Sequence, residues 1–126
     1  MEIRDIIDIL EGARAPERMH DGYVGSLFGW RRNVEYLTRE GNPVPAKKVT
    51  WLSPSGEPGI VPFYTTSLEA AVELARKIAA MDTWAVAWAD GKGRAKIGDG
   101  PYYEALTPAM ALCISALKIM QARIDG

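Results

Sequence analysis

"DTWAVAWADGKGRAKIG", residues 82–98, alternates Trp84, Val86 and Trp88 with Ala85, Ala87 and Ala89. Successive side chains of a strand point to opposite faces. One face therefore carries two indoles and a valine, the other three methyl groups. ADGKG reads as a tight turn, and residues 94–98 as the returning antiparallel strand. An antiparallel sheet with one wet face alternates apolar with polar residues, yet 84–89 contain no polar side chain. Both faces are expected to be covered. A buried aromatic removes about 150–250 Å² from water, worth roughly 4–6 kcal/mol as an upper bound. The Trp face is accordingly expected to be core. Trp88, nearer the turn, is the better of the two as a ligand platform.

Helical signals flank this hairpin. Upstream, TTSLEAAVELARKIAAM offers Thr66 as N-cap with Glu69 three residues on, a capping box. Leu68, Ala71, Val72, Ala75, Ile78 and Ala79 make one stripe, and Glu73–Lys77 is a favourable i,i+4 pair. Downstream, GDGPYYEALTP reads as a loop, and Thr107–Pro108 as an N-cap and N1 pair. The helix at 108–124 has its stripe at Met110, Cys113, Ile114, Leu117, Met120 and Ile124, widened by Leu112, Ala116 and Ile119. So broad a stripe predicts deep burial or a homo-oligomer formed through this helix.

Toward the N-terminus, Ile3, Ile6, Ile7 and Leu10 predict a helix over 2–12, ended by Gly12 and Pro16. Its interspersed Glu2, Asp5 and Asp8 do not fit a signal peptide. A short helix over 17–29 is expected despite Gly22, Gly25 and Gly29, each costing about 1 kcal/mol in a helix interior. Residues 30–39 begin helix-compatible, 40–46 read as loop, and 47–53 as a strand. SPSGEPG at 53–59 reads as a turn, and Pro62 confines 60–64 to an edge or a connector. The expected fold is α+β: a small antiparallel sheet of about three strands with helices on both faces, an α/β/α sandwich, in one domain spanning 1–126.

Composition narrows the function classes. Apolar residues make up 48% and charged residues 25% of 126, ordinary globular values. A net charge of −1 argues against a dedicated nucleic-acid binder. No apolar run approaches the roughly 18–20 residues of a membrane span, so no membrane partner is expected. One cysteine, Cys113, and one histidine, His20, predict no disulfide, no metal site and no cofactor. Cys113 lies on an apolar stripe and reads as a small buried hydrophobe. His20, between Glu17 and Asp21, reads as a solvated loop residue. DGKG at 90–93 lacks the spacing of a phosphate loop and reads as a hairpin turn. No catalytic set emerges.

The candidate ligand-binding residues are aromatic and basic. Trp30, Arg31 and Arg32, with Arg39, Lys47 and Lys48, form a basic stretch against Glu35 and Glu40. A Trp beside two Arg residues suits stacking on a base and holding its phosphate. Trp88, Tyr102 and Tyr103 are candidates to extend such a pocket. The plain alternatives are a solvated face beside one buried indole, and tyrosines packed over a sheet edge. Lys92, Arg94 and Lys96 line one side of the hairpin, as edge protection would.

The chain also resembles a known family. An early helix ending in Gly12, then APERMHDGYVGSLFGW (15–30), PFYTTSLEAAVEL (62–74), a Trp-containing strand and EALTPAMALCISALKIM (104–120) is similar in order to phage ABA sandwich domain proteins. PERMHD replaces the more usual acidic turn, and 31–50 have no counterpart. The resemblance implies an α/β/α sandwich and a mobile-element setting, with no catalytic residues to carry over. The resulting expectation is a small non-enzymatic phage or prophage protein in the cytoplasm of a bacterial host cell. It would act by binding a host protein, including in counter-defence. The alternatives are a protein that binds or sequesters a nucleotide-type signal through Trp30, Arg31, Arg32, Trp88, Tyr102 and Tyr103, and an enzyme of unknown reaction using His20 or an acidic partner.

Overall fold

A computed structural model of the chain describes residues 1–37 and 46–126. The fold is α+β. Four helices, α1 (Ile3–Glu11), α2 (Arg18–Ser26), α3 (Leu68–Ile78) and α4 (Pro108–Asp125), accompany two antiparallel sheets among the described residues. The first sheet has order β1-β2-β3, from Arg31–Leu37, Ala46–Leu52 and Pro58–Gly59. The second has order β4-β5-β6, from Trp84–Ala89, Lys92–Ile97 and Tyr103–Ala105. The loop expected at 40–46 lies, up to residue 45, outside the described residues, as do Arg39 and Glu40 of the basic stretch.

The centre of the molecule is α4. Thr107 caps it, its Oγ1 accepting from the Met110 N–H at 2.9 Å, and Pro108 occupies the first turn. Residues 109–117 are buried without interruption. A helix buried on every side needs neighbours all round. α3 and α1 lie against α4, and β4, β5 and β6 also pack on it. The breadth of its stripe is thus used inside the chain. Residues 109–117 have no free face for the homo-oligomer expected through 108–124.

α1 buries Ile3, Ile6, Ile7 and Leu10, as its periodicity predicts. α3 starts one residue later than expected: Ser67, not Thr66, is the N-cap, its Oγ accepting from the Ala70 N–H. The buried stripe rotates accordingly to Ala71, Leu74, Ala75 and Ile78, and Leu68 is exposed. The glycines of α2 are steric requirements. A Cβ on Gly22 would stand 2.8 Å from the Trp51 ring, and one on Gly25 would crowd Val61 and Trp30. The Trp51 indole packs where only hydrogen fits, and at Gly25 Val61 would have to give way.

The hairpin β4–β5 turns at Asp90 and Gly91, both at positive φ, a type I′ geometry that suits Asp-Gly. Register places Trp84 opposite Ile97, Val86 opposite Ala95 and Trp88 opposite Gly93. These six share the face that meets α4, where Gly93, Ala95 and Ile97 are buried. The expectation of a core Trp face holds only toward the centre of the sheet. β4 is the outer strand, and its indoles reach past the helix: Trp84 is 38% and Trp88 60% exposed. The opposite face presents Ala87 with Arg94 and Glu104, and Arg94 bridges Glu104 at 2.8 Å. Lys92, Arg94 and Lys96 lie on the central strand β5, so they do not guard an edge.

Candidate functional site

The first sheet contains the feature that the core does not explain. β1 and β2 pair over seven positions, from Arg31↔Leu52 to Leu37↔Ala46, a ribbon roughly 20 Å long. Its base is fixed by Trp30, held between Gly25 and Gly59, and by Trp51 against Gly22. Among the described residues, only α2 at this base and the short β3 pack on it. One face carries Arg32/Trp51, Val34/Val49 and Tyr36/Lys47; the other carries Asn33/Thr50 and Glu35/Lys48. Beyond Trp51 the side chains of residues 33–36 and 47–50 stand largely in solvent on both faces, and Tyr36 is 69% exposed. Arg31, Arg32, Lys47 and Lys48 face one acid, Glu35, among the described residues of the ribbon. A two-stranded hairpin is marginal in water by itself. This one presents an apolar and basic surface rather than burying it.

The structure separates the candidate ligand residues. Trp30 packs between glycines; Arg31 and Arg32 are exposed at the base of β1. Trp88 is at the far edge of the second sheet. Tyr102 is exposed, with Lys96 Nζ 5.2 Å from its ring centre. Tyr103 is half-buried against the core, with Lys118 Nζ 4.3 Å from its ring centre. Among the described residues, no strand of one sheet contacts a strand of the other, so Trp30, Arg31 and Arg32 do not form one pocket with Trp88, Tyr102 and Tyr103.

One buried polar cluster escapes sequence reasoning. Asp21 Oδ2 pairs with Arg18 at 2.7 Å, while its Oδ1 accepts from the Thr65 N–H and the Thr65 hydroxyl, both at 2.8 Å. Arg18 also donates to the Val61 and Pro62 carbonyls and stacks 3.8 Å over the Phe63 ring. Thr107 Oγ1 donates to the Thr65 carbonyl at 2.5 Å. The cluster ties α2 to the segment 61–65 and to the cap of α4. The carboxylate has three donors and its charge a partner, so the arrangement stabilises the fold and spares no group for chemistry. An Arg three residues before an Asp was the available signal; the long-range Thr65 partner had none.

His20 is a correction: it sits on α2 and is 6% exposed, not solvated. Its Nε2 lies 3.7 Å from Glu17, and its Nδ1 is buried without a partner among the described residues. Cys113 is buried as expected, its Sγ donating to the Tyr64 carbonyl at 3.2 Å. Burial, with the nearby Asp21 charge, pushes its thiol well above the ordinary range, so it stays protonated and unreactive. Among the described residues, no group of three His, Cys, Asp or Glu could hold a metal, and no helix is long and apolar enough to cross a membrane.

No family model, no curated protein and no solved structure matches this chain.

Proposed function

We propose that the chain acts by binding a protein partner through the β1–β2 ribbon. The observation that carries this reading is the exposure of the ribbon on both faces beyond its Trp51 base. Tyr36 and Val49 supply an aromatic and aliphatic centre on one face, with Arg32 and Lys47 beside it, while Arg31 and Lys48 lie on the other face. Interfaces favour such a mixture of Tyr and Arg around an apolar patch. The charge selects an acidic surface. With the resemblance to phage ABA sandwich domain proteins, the reading becomes a phage or prophage protein that engages a host protein in the bacterial cytoplasm, counter-defence included.

The test is a photo-crosslinking residue at Tyr36, with a second at the exposed Arg76 on α3 as a control. A single host product from position 36, absent from position 76 and lost in a Lys47→Glu, Lys48→Glu variant, is the expected result. Equal products from both positions would remove the ribbon from the proposal. A second reading of the same ribbon is duplex nucleic acid, because a two-stranded ribbon fits a major groove and four bases suit phosphates. It predicts direct binding to random-sequence duplex that weakens steeply with salt. The nucleotide-signal alternative has lost its shared pocket and predicts a thermal shift that depends on Arg31 and Arg32 alone.

A further inference from the structure

β4 is the outer strand of the second sheet, so among the described residues one of its edges has no strand beside it. Natural edges are usually blunted by a charge, a proline or a bulge. Trp84–Ala89 has none of these and pairs with β5 at every position without interruption. Its side chains also keep apolar surface in water at Trp84 and Trp88.

The strand is its own complement. Trp84-Ala85-Val86-Ala87-Trp88 reads the same in both directions. In antiparallel pairing, residues opposite each other share a face. A two-fold axis through Val86 therefore sets Trp84 against Trp88 of the second copy, Ala85 against Ala87, and Val86 against itself. All four indoles then lie on the α4 side, and both α4 helices lie on the same side of the joined sheet. We infer that β4 is a self-pairing edge that joins two copies of this chain into one six-stranded antiparallel sheet.

Area and charge both suit a second copy. Four indoles at the observed exposures bring roughly 300–500 Å² to the contact, up to half of the ~1,000 Å² that a specific interface needs. The paired backbone edges and the Val and Ala side chains add the remainder. The strand is neutral from Trp84 to Ala89. The bases on β5 of the two copies would be three strand spacings apart, about 14 Å, beyond the screening length of ~8–10 Å. Arg94 is already paired with Glu104 in its own chain. Asp82 of one copy would meet Asp90 of the other just past the paired segment, which limits the ladder to the palindrome.

The experiment is sedimentation equilibrium of the full chain from about 1 to 100 µM, a range that brackets micromolar dissociation constants. It is combined with two cysteine variants. Val86→Cys faces itself across the axis, at the roughly 4.5–5.5 Å between opposed Cβ atoms, and should form a covalent dimer on mild oxidation. Ala89→Cys faces Thr83 of the second copy and should not. Trp88→Lys should weaken the dimer about tenfold or more, because it removes two cross-strand indole pairs and places a charge in each. Its helical circular dichroism should match the parent, since Trp88 is mostly exposed. A monomer throughout the range would overturn the inference. A dimer indifferent to Trp88→Lys, or one in which Val86→Cys crosslinks no faster than Ala89→Cys, would also overturn it.

Discussion

Gly93 and Gly91 stand two residues apart on the same hairpin, and their substitutions should differ sharply. At Gly93 an added Cβ would fall within the backbone of Thr107 and Pro108, where the cap of α4 crosses β5. Backbone on both elements would have to move. Gly93→Ala should cost about 3 kcal/mol or more, near the upper end for overpacking. Gly91 has φ +73°, and a Cβ there would meet nothing within 4 Å, so Gly91→Ala suffers only conformational strain. That strain is worth about 1–2 kcal/mol. Denaturant midpoints of the two variants check this. Equal losses would show that α4 does not press on Gly93. The sequence marks both as turn or strand glycines and cannot distinguish them, because the atoms that matter at Gly93 come from residues fourteen and fifteen positions later. Asp21 was illegible for the same reason: its decisive partner, Thr65, is 44 residues away.

At the scale of elements, legibility follows burial on one side. α1 was readable from its one-sided stripe and its Gly12 end, whereas α4, buried on every side over 109–117, was readable from its Thr107–Pro108 start and its long apolar run. β4–β5 was readable from alternation and from Asp-Gly. β1 was not, and its first residues look helix-compatible. A strand wet on both faces loses the alternation that period-two reasoning depends on, and Arg31, Arg32 and Glu35 sit around Val34 and Tyr36 as readily in a helix as in a strand. β6, at three residues, is too short to carry a pattern. The same exposure sets the ribbon's dynamics. Among the described residues, its ladder beyond Val34/Val49 has no layer of side chains over it, whereas β5 is covered by α4. Hydrogen exchange should therefore separate them, with β1 and β2 amides opening locally and those of β5 only with the core, a protection difference of at least about tenfold. Matching protection in the two hairpins would mean that the ribbon is part of the cooperative core and would weaken its assignment as a free binding arm.

At the scale of the whole molecule, stability and recognition are assigned to different places. α4 touches α1, α3 and every strand of the second sheet, and among the described residues α2 is the one helix that the first sheet touches. A cavity made in α4 is felt by all its neighbours at once. Leu112 is fully buried, and Leu112→Ala should cost about 2–5 kcal/mol. At roughly 3–5 °C per kcal/mol for a chain of this size, the melting temperature should fall by on the order of 10 °C. Tyr36→Ala removes an aromatic that is mostly in water already, so its cost should stay within about 0.5 kcal/mol. Partner crosslinking from a photo-reactive residue at Lys47, which faces Tyr36 across the ladder, should respond in the opposite order: lost in Tyr36→Ala and retained in Leu112→Ala at temperatures where the latter is folded. Thermal unfolding and crosslinking measured on the same two variants make the comparison. If Tyr36→Ala lowered the melting temperature as much as Leu112→Ala, the tyrosine would be serving the fold, and its exposure would no longer support a binding role.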